Sequence, residues 1–152
     1  MEKKSNLNSH IDDPKDLTKI FGDWIKDPIA LQKKFIEAKP YSFIKIKNFL
    51  NHDLAEKLAD KFPTPVGDAQ KHFHRYCNPL ENKWAMDNVL EFPEEFRFIF
   101  EALSTSDLCK KMGDLTNIKD LEHDPTLNGS GLHCHGRNGN LAIHLDCKLK
   151  IF

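Results

Sequence analysis

The sequence has no CxxC pair among its four cysteines, no secretory leader ahead of them and no apolar run long enough to cross a bilayer. Paired cysteines at short spacing would signal a metal or redox site, and a leader would signal an oxidising compartment; without either, Cys77, Cys109, Cys134 and Cys147 are read as reduced thiols. The opening residues Met1, Glu2, Lys3 and Lys4 are polar and lead into no apolar stretch, so a cytoplasmic location is expected. A membrane span would need roughly 18 apolar residues in a row. Excess charge of one sign is also missing, since 22 basic residues face 23 acidic ones, so no electrostatic footprint for nucleic acid is expected. Repeats and low-complexity segments are lacking too.

What remains is an ordinary globular composition, 39% hydrophobic and 30% charged over 152 residues, about one domain's worth of chain. Residues 1–12 are polar and aperiodic and read as a flexible tail, leaving 13–152 as a single domain. Asp13 offers an N-cap and Pro14 a first helical residue; Leu17, Ile20, Phe21, Trp24 and Ile25 then follow at amphipathic spacing, predicting one helix. A second helix is predicted from Asp27-Pro28 through Leu31, Phe35 and Ile36 to near Pro40. In Tyr41 to Phe49 the alternation of Ile44 and Ile46 with Lys45 and Lys47 predicts a strand. Asn51 caps a helix bearing Leu54, Leu58 and Phe62, stopped by Pro63 and Pro65.

Residues 63–92 are irregular with room for one or two short strands. Pro93 opens a helix with Phe96, Ile99, Phe100 and Leu103 on its apolar face, and Ser106 caps another with Leu108, Met112 and Leu115. Cys109 falls in that helix and is expected in the core, and Trp24 and Trp84 are read as core or helix packing. Turn residues dominate from Ile118 to Gly131. Leu132 to Arg137 and Asn140 to Leu145 then predict two strands around the Asn138-Gly139 turn signal. Helices first and strands last give an α+β protein whose helices brace a sheet. Three strands make neither a barrel nor a sandwich, so the expectation is either that the remaining strands come from elsewhere or that the sequence is a truncated reading of a longer protein.

Five potential metal ligands crowd the last twenty residues: His133, Cys134, His135, His144 and Asp146. On a strand, residues two apart share a face, so His144 and Asp146 bring a neutral imidazole and a carboxylate towards one point. Those are two of the three corners of a facial triad, a donor set that suits Fe(II) with open positions. A His-x-Asp tripeptide alone is common. Its surroundings are less so: Asp124-Pro125-Thr126-Leu127-Asn128-Gly129-Ser130-Gly131-Leu132-His133, then Gly136-Arg137-Asn138-Gly139-Asn140-Leu141, then His144-Leu145-Asp146.

Together these segments resemble the prolyl-4-hydroxylase-like branch of the Fe(II)- and 2-oxoglutarate-dependent oxygenases. There a DP-x-L-x-G-x-G-L-H stretch leads through a glycine-containing turn to an L-x-x-H-x-D metal strand. Asn48-Phe49-Leu50, Phe62-Pro63, Tyr76 to Lys83 and Leu115-Thr116-Asn117-Ile118 are similar as well, so the resemblance covers about residues 40–146. It implies N-terminal helices bracing the beginning of a double-stranded β-helix (jelly-roll) barrel that is incomplete in this chain. It implies His144 and Asp146 as the first two iron ligands, and Fe(II) and 2-oxoglutarate as metal and cosubstrate, with ascorbate a reductant.

The implied reaction hydroxylates a C–H bond of a peptidyl or small-molecule substrate, releasing succinate and CO2. Peptidyl proline is one candidate substrate; a free amino acid, another small metabolite or another protein side chain fits equally. The family's third ligand is a later histidine, followed by a basic anchor for 2-oxoglutarate. The six residues after Asp146 include no histidine, and Cys147 follows the metal Asp where an aromatic residue often stands, so a truncated domain is expected. The family's preceding strand often supplies a cosubstrate contact, a role for which His135 is the candidate; a solvent-facing residue is the other reading.

Three further alternatives stay open. His133, Cys134, His135 and His144 could share zinc, although Cys134 alternates away from its neighbours. His72 and His74, sharing a strand face beside Arg75, suit a substrate-side or a merely exposed role, and Arg137 reads as solvated. The non-enzymatic alternative is an inactive fragment, or a metal-binding or interaction module.

Overall fold

The structure is a computed structural model that describes residues 13–126 and 129–143. It is an α+β arrangement of α1 (Leu17–Ile20), α2 (Ile29–Ile36), α3 (His52–Asp60), β1 (His74–Asn78), β2 (Glu81–Met86), α4 (Glu94–Leu103), α5 (Ser106–Thr116), β3 (Leu132–Cys134) and β4 (Asn140–Leu141). Among the described residues no helix is long and apolar enough to cross a membrane. The chain divides into two compact units, Met1–Asp60 with Phe98–His123, and Lys61–Arg97 with Asp124–Phe152.

The first unit buries Leu17, Ile20, Phe21, Ile25, Leu54, Leu58, Ile99, Ala102, Leu108, Cys109 and Leu115. Its apolar periodicity is as expected, but the first helix is not continuous. It ends at Ile20, and a separate 3-10 helix, Asp23–Lys26, carries Trp24 and Ile25. The break lies at Phe21-Gly22. Phe21 bridges Leu50 in antiparallel fashion, Gly22 N–H donates to Phe49 O at 3.1 Å, and Asn51 N–H donates to Ile20 O at 2.8 Å. Gly22 allows this crossing because a Cβ there would collide with the Asn48 carbonyl oxygen. Trp24 stacks on Phe49 at 5.1 Å and donates from Nε1 to Phe49 O at 2.8 Å.

The strand expected over Tyr41 to Phe49 is therefore replaced by irregular chain ending in one bridge. Ile44 and Ile46 are still half-buried between exposed Lys45 and Lys47, but no ladder pairs them. Alternation records burial on one side, and it cannot supply the hydrogen-bonding partner a strand needs. Further along, α2 packs on α5, where Gln32 Nε2 donates to Asp114 O at 2.6 Å. The α5 cap is Thr105 rather than Ser106: its Oγ1 accepts from Leu108 N–H at 3.2 Å.

The second unit holds an antiparallel sheet ordered β1-β2-β3, with β4 also paired to β2. β1 and β2 are the two short strands the irregular region had room for. Phe73, Met86, Phe92, Phe96 and Leu132 are buried in this unit, and Phe62 meets Phe96 edge to face at 5.4 Å.

β3 and β4 do not form the expected hairpin. Both pair with β2, in line with each other: Trp84 faces Cys134 and Asn82 faces Asn140. Two steps along β2 thus match six along its partner, so four residues loop out of one interrupted strand. Gly136 to Gly139 form that loop, closed by Gly139 N–H donating to Gly136 O at 2.9 Å, with Asn138 at φ 64°. The Asn-Gly pair makes the tight turn its chemistry favours, but β2 holds both flanking segments. Because the loop contains an even number of residues, it leaves the inward and outward faces unchanged.

Candidate functional site

Cross-strand partners in an antiparallel sheet stand on the same face, so the register sorts the side chains. One face carries Arg75, Trp84, Met86, Leu132 and Cys134; its Met86–Leu132 pair is buried, and Arg75 lies 5.4 Å above the Trp84 ring. The other face is polar. Across it run the rows His74–Ala85–His133 and Tyr76–Lys83, with Asn78–Glu81–Leu141 below them.

Lys83 sits in the middle of this polar face. Its Nζ is 3.1 Å from Glu81 Oε2, and the two side chains are only 13% and 22% exposed. The ammonium also lies 5.2 Å from the Tyr76 ring centroid, a cation–π contact. Asp87, just past the end of β2, accepts from Tyr76 OH at 3.4 Å and lies 3.7 Å from His74 Nε2.

His133 is an exposed residue of β3, yet desolvation at its ring holds the imidazole below its ordinary value, and the Lys83 and His135 charges push the same way against Asp87 and Glu81. His133 is thus a neutral hydrogen-bonding ring at physiological pH. The folded state binds this proton less readily than the unfolded chain does. As pH falls below about 6.5 the unfolded chain therefore gains protons first, and this group lowers stability. NMR titration is expected to give His133 a value below 6.5, and Lys83→Met should raise it. An ordinary or elevated value in the parent chain would refute this electrostatic account.

The sequence-predicted site residues are distributed unevenly. His144 and Asp146 lie outside the described residues. His135 follows the end of β3 and is exposed, where the Gly136–Gly139 loop begins; a Cβ on Gly139 would come within 2.9 Å of the His135 Cβ. Cys134 faces away from His133, donates from Sγ to Pro63 O at 3.4 Å, and has its thiol pKa raised by burial. A protonated thiol on the opposite face is a poor co-ligand for His133. Among the described residues no group of three or more His, Cys, Asp or Glu is arranged to hold a metal ion.

His72 and His74 do not share a strand. His72 closes the 3-10 helix Gly67–His72 and lies 3.2 Å from Glu91 Oε2, whereas His74 opens β1. Arg137 is exposed in the loop, as read from the sequence. Sequence reasoning passed over Tyr76, Lys83 and Asp87. The usable signal was the alternation of Glu81, Lys83 and Ala85 with Asn82, Trp84 and Met86, but pairing Tyr76 with Lys83 required the register.

No protein-family model, curated protein or solved structure matches this chain. Fold and geometry define an α+β protein with one polar sheet face, in which an imidazole, a phenol, an ammonium and carboxylates meet.

Proposed function

We propose that this chain is the N-terminal part of an Fe(II)- and 2-oxoglutarate-dependent oxygenase domain that hydroxylates a C–H bond of a peptidyl or small-molecule substrate. The observation that carries this reading is the ordered run from Asp124-Pro125 through Gly129-Ser130-Gly131-Leu132-His133 to His144-Leu145-Asp146. On this reading the sheet is the first part of a double-stranded β-helix. Support comes from the strand layout: the GLH segment enters β3, the glycine turn is the loop, and β4 ends three residues before His144.

The donor set fits the metal. His144 offers a neutral nitrogen and Asp146 an anionic oxygen, the mixture Fe(II) accepts, and a third donor is required beyond these two. When bound, iron supplies the open coordination at which O2 and the keto acid react: substrate C–H, O2 and 2-oxoglutarate give substrate C–OH, succinate and CO2. The chain's own part is to hold that metal, orient the cosubstrate near His135 and keep water from the reacting carbon.

The test is an anaerobic titration with Fe(II) and then 2-oxoglutarate, followed by admission of O2 and assay of succinate. With two of the three iron ligands and without the basic anchor, this chain alone is expected to bind both weakly, and a chain extended by a further histidine-bearing strand and that anchor is expected to bind both saturably and form succinate on oxygenation. If the extended chain also binds neither, the oxygenase reading falls and the non-enzymatic alternative takes its place.

A further inference from the structure

We propose that the polar face of the β1–β2–β3 sheet is a carboxylate-binding site, with Lys83 as its cationic anchor and Glu81 as a built-in competitor for it. Lysine side chains are rarely this covered unless they are paired. At 13% exposure, Lys83 is held over the Tyr76 ring and against one carboxylate oxygen of Glu81. The Glu81 carboxylate, 3.1 Å from Nζ, is the protein's own example of the ligand chemistry. It stands two residues away on the same strand and face, so it can occupy the ammonium without any long-range rearrangement.

The surroundings suit an organic anion better than a metal. His133, on the next strand, feels the Lys83 charge, which with desolvation outweighs the opposing pull of Asp87 and Glu81, so its neutral ring can donate an N–H to an anion. Tyr76, on the strand at the other side, carries a hydroxyl. Asp87 is directed at His74 and Tyr76, and it sets the acidic edge of the face. An incoming carboxylate that displaces Glu81 thus meets an ammonium flanked by an imidazole strand and a phenol strand. Charge-assisted contacts of this kind are the stronger class of hydrogen bond.

This inference stands apart from the oxygenase reading, because it needs no iron. The carboxylate could come from a keto acid or from another small organic acid. Both are tested on the full chain by calorimetry with chelator present, using 2-oxoglutarate in one arm and acetate in the other. Glu81→Gln removes the competitor and is expected to tighten carboxylate binding about tenfold over the parent chain. Adding Lys83→Met to that variant should abolish the gain, whereas adding Lys83→Arg should keep it within a few-fold.

A larger gain for 2-oxoglutarate than for acetate assigns the site to a dicarboxylate; equal gains assign it to a carboxylate group alone. The proposal is overturned if Glu81→Gln binds no more tightly than the parent in both arms. It is equally overturned if the Glu81→Gln, Lys83→Met double variant keeps the gain. Failure of the earlier iron titration leaves both of these results unaffected.

Discussion

Alanine in place of His144 or of Asp146 is expected to lower Fe(II) affinity about 100-fold or more, measured by anaerobic titration. The magnitude follows from coordination chemistry: losing a group that merely orients a ligand costs 10–100-fold, so losing a ligand costs at least as much. The two variants should differ in kind. His144→Ala removes a neutral nitrogen, whereas Asp146→Ala also removes the negative charge that offsets the dication. Asp146→Asn keeps an oxygen donor without that charge and should fall between Asp146→Ala and the parent chain. Affinity in the parent should also decline as the solution is acidified, because protons compete with the metal for the imidazole and the carboxylate. Unchanged affinity in both alanine variants would remove the iron-site assignment altogether.

Phe21→Ala is expected to give the largest loss of stability, about 3–5 kcal/mol, the range for emptying a buried aromatic position. Phe21 is 2% exposed and meets two rings edge on, Trp24 at 5.7 Å and Phe49 at 5.4 Å. Its backbone also forms the bridge to Leu50, so the side chain anchors a place where the N-terminal helices are tied to the 48–51 segment. Urea unfolding measures the effect, and the melting temperature should fall by roughly 10 °C. Leu90→Ala is the control: the side chain is 78% exposed, and its loss should stay within about 0.5 kcal/mol. A Phe21→Ala loss below about 1 kcal/mol would mean that the neighbouring rings close the gap and that the aromatic cluster contributes little.

Helix faces were the most readable part of this chain. Leu54 and Leu58 on α3, Phe96 and Ile99 on α4, and Leu108, Cys109 and Leu115 on α5 are buried as their spacing predicts. Burial of an amphipathic face is a local property of the sequence, because residues three and four apart come together wherever the helix lies. The first helix shows the limit. Leu17, Ile20, Phe21 and Ile25 are buried as expected and Trp24 is half-buried, yet Phe21 and Gly22 leave the helix to pair with residues near position 50. That partner is distant in sequence, so periodicity cannot reveal it.

The site divides along the same line. By itself the sequence determined the α+β class, the helix faces, the Asn138-Gly139 turn and the spacing of His144 and Asp146, all of which depend on residues close along the chain. Only the tertiary structure decided that β3 and β4 share β2 rather than each other, and that Tyr76, Lys83 and His133 meet on one face. The physical reason is that strand pairing joins hydrogen-bonding groups far apart in sequence. A turn signal therefore identifies where the chain bends, while the sheet determines which strands it brings together.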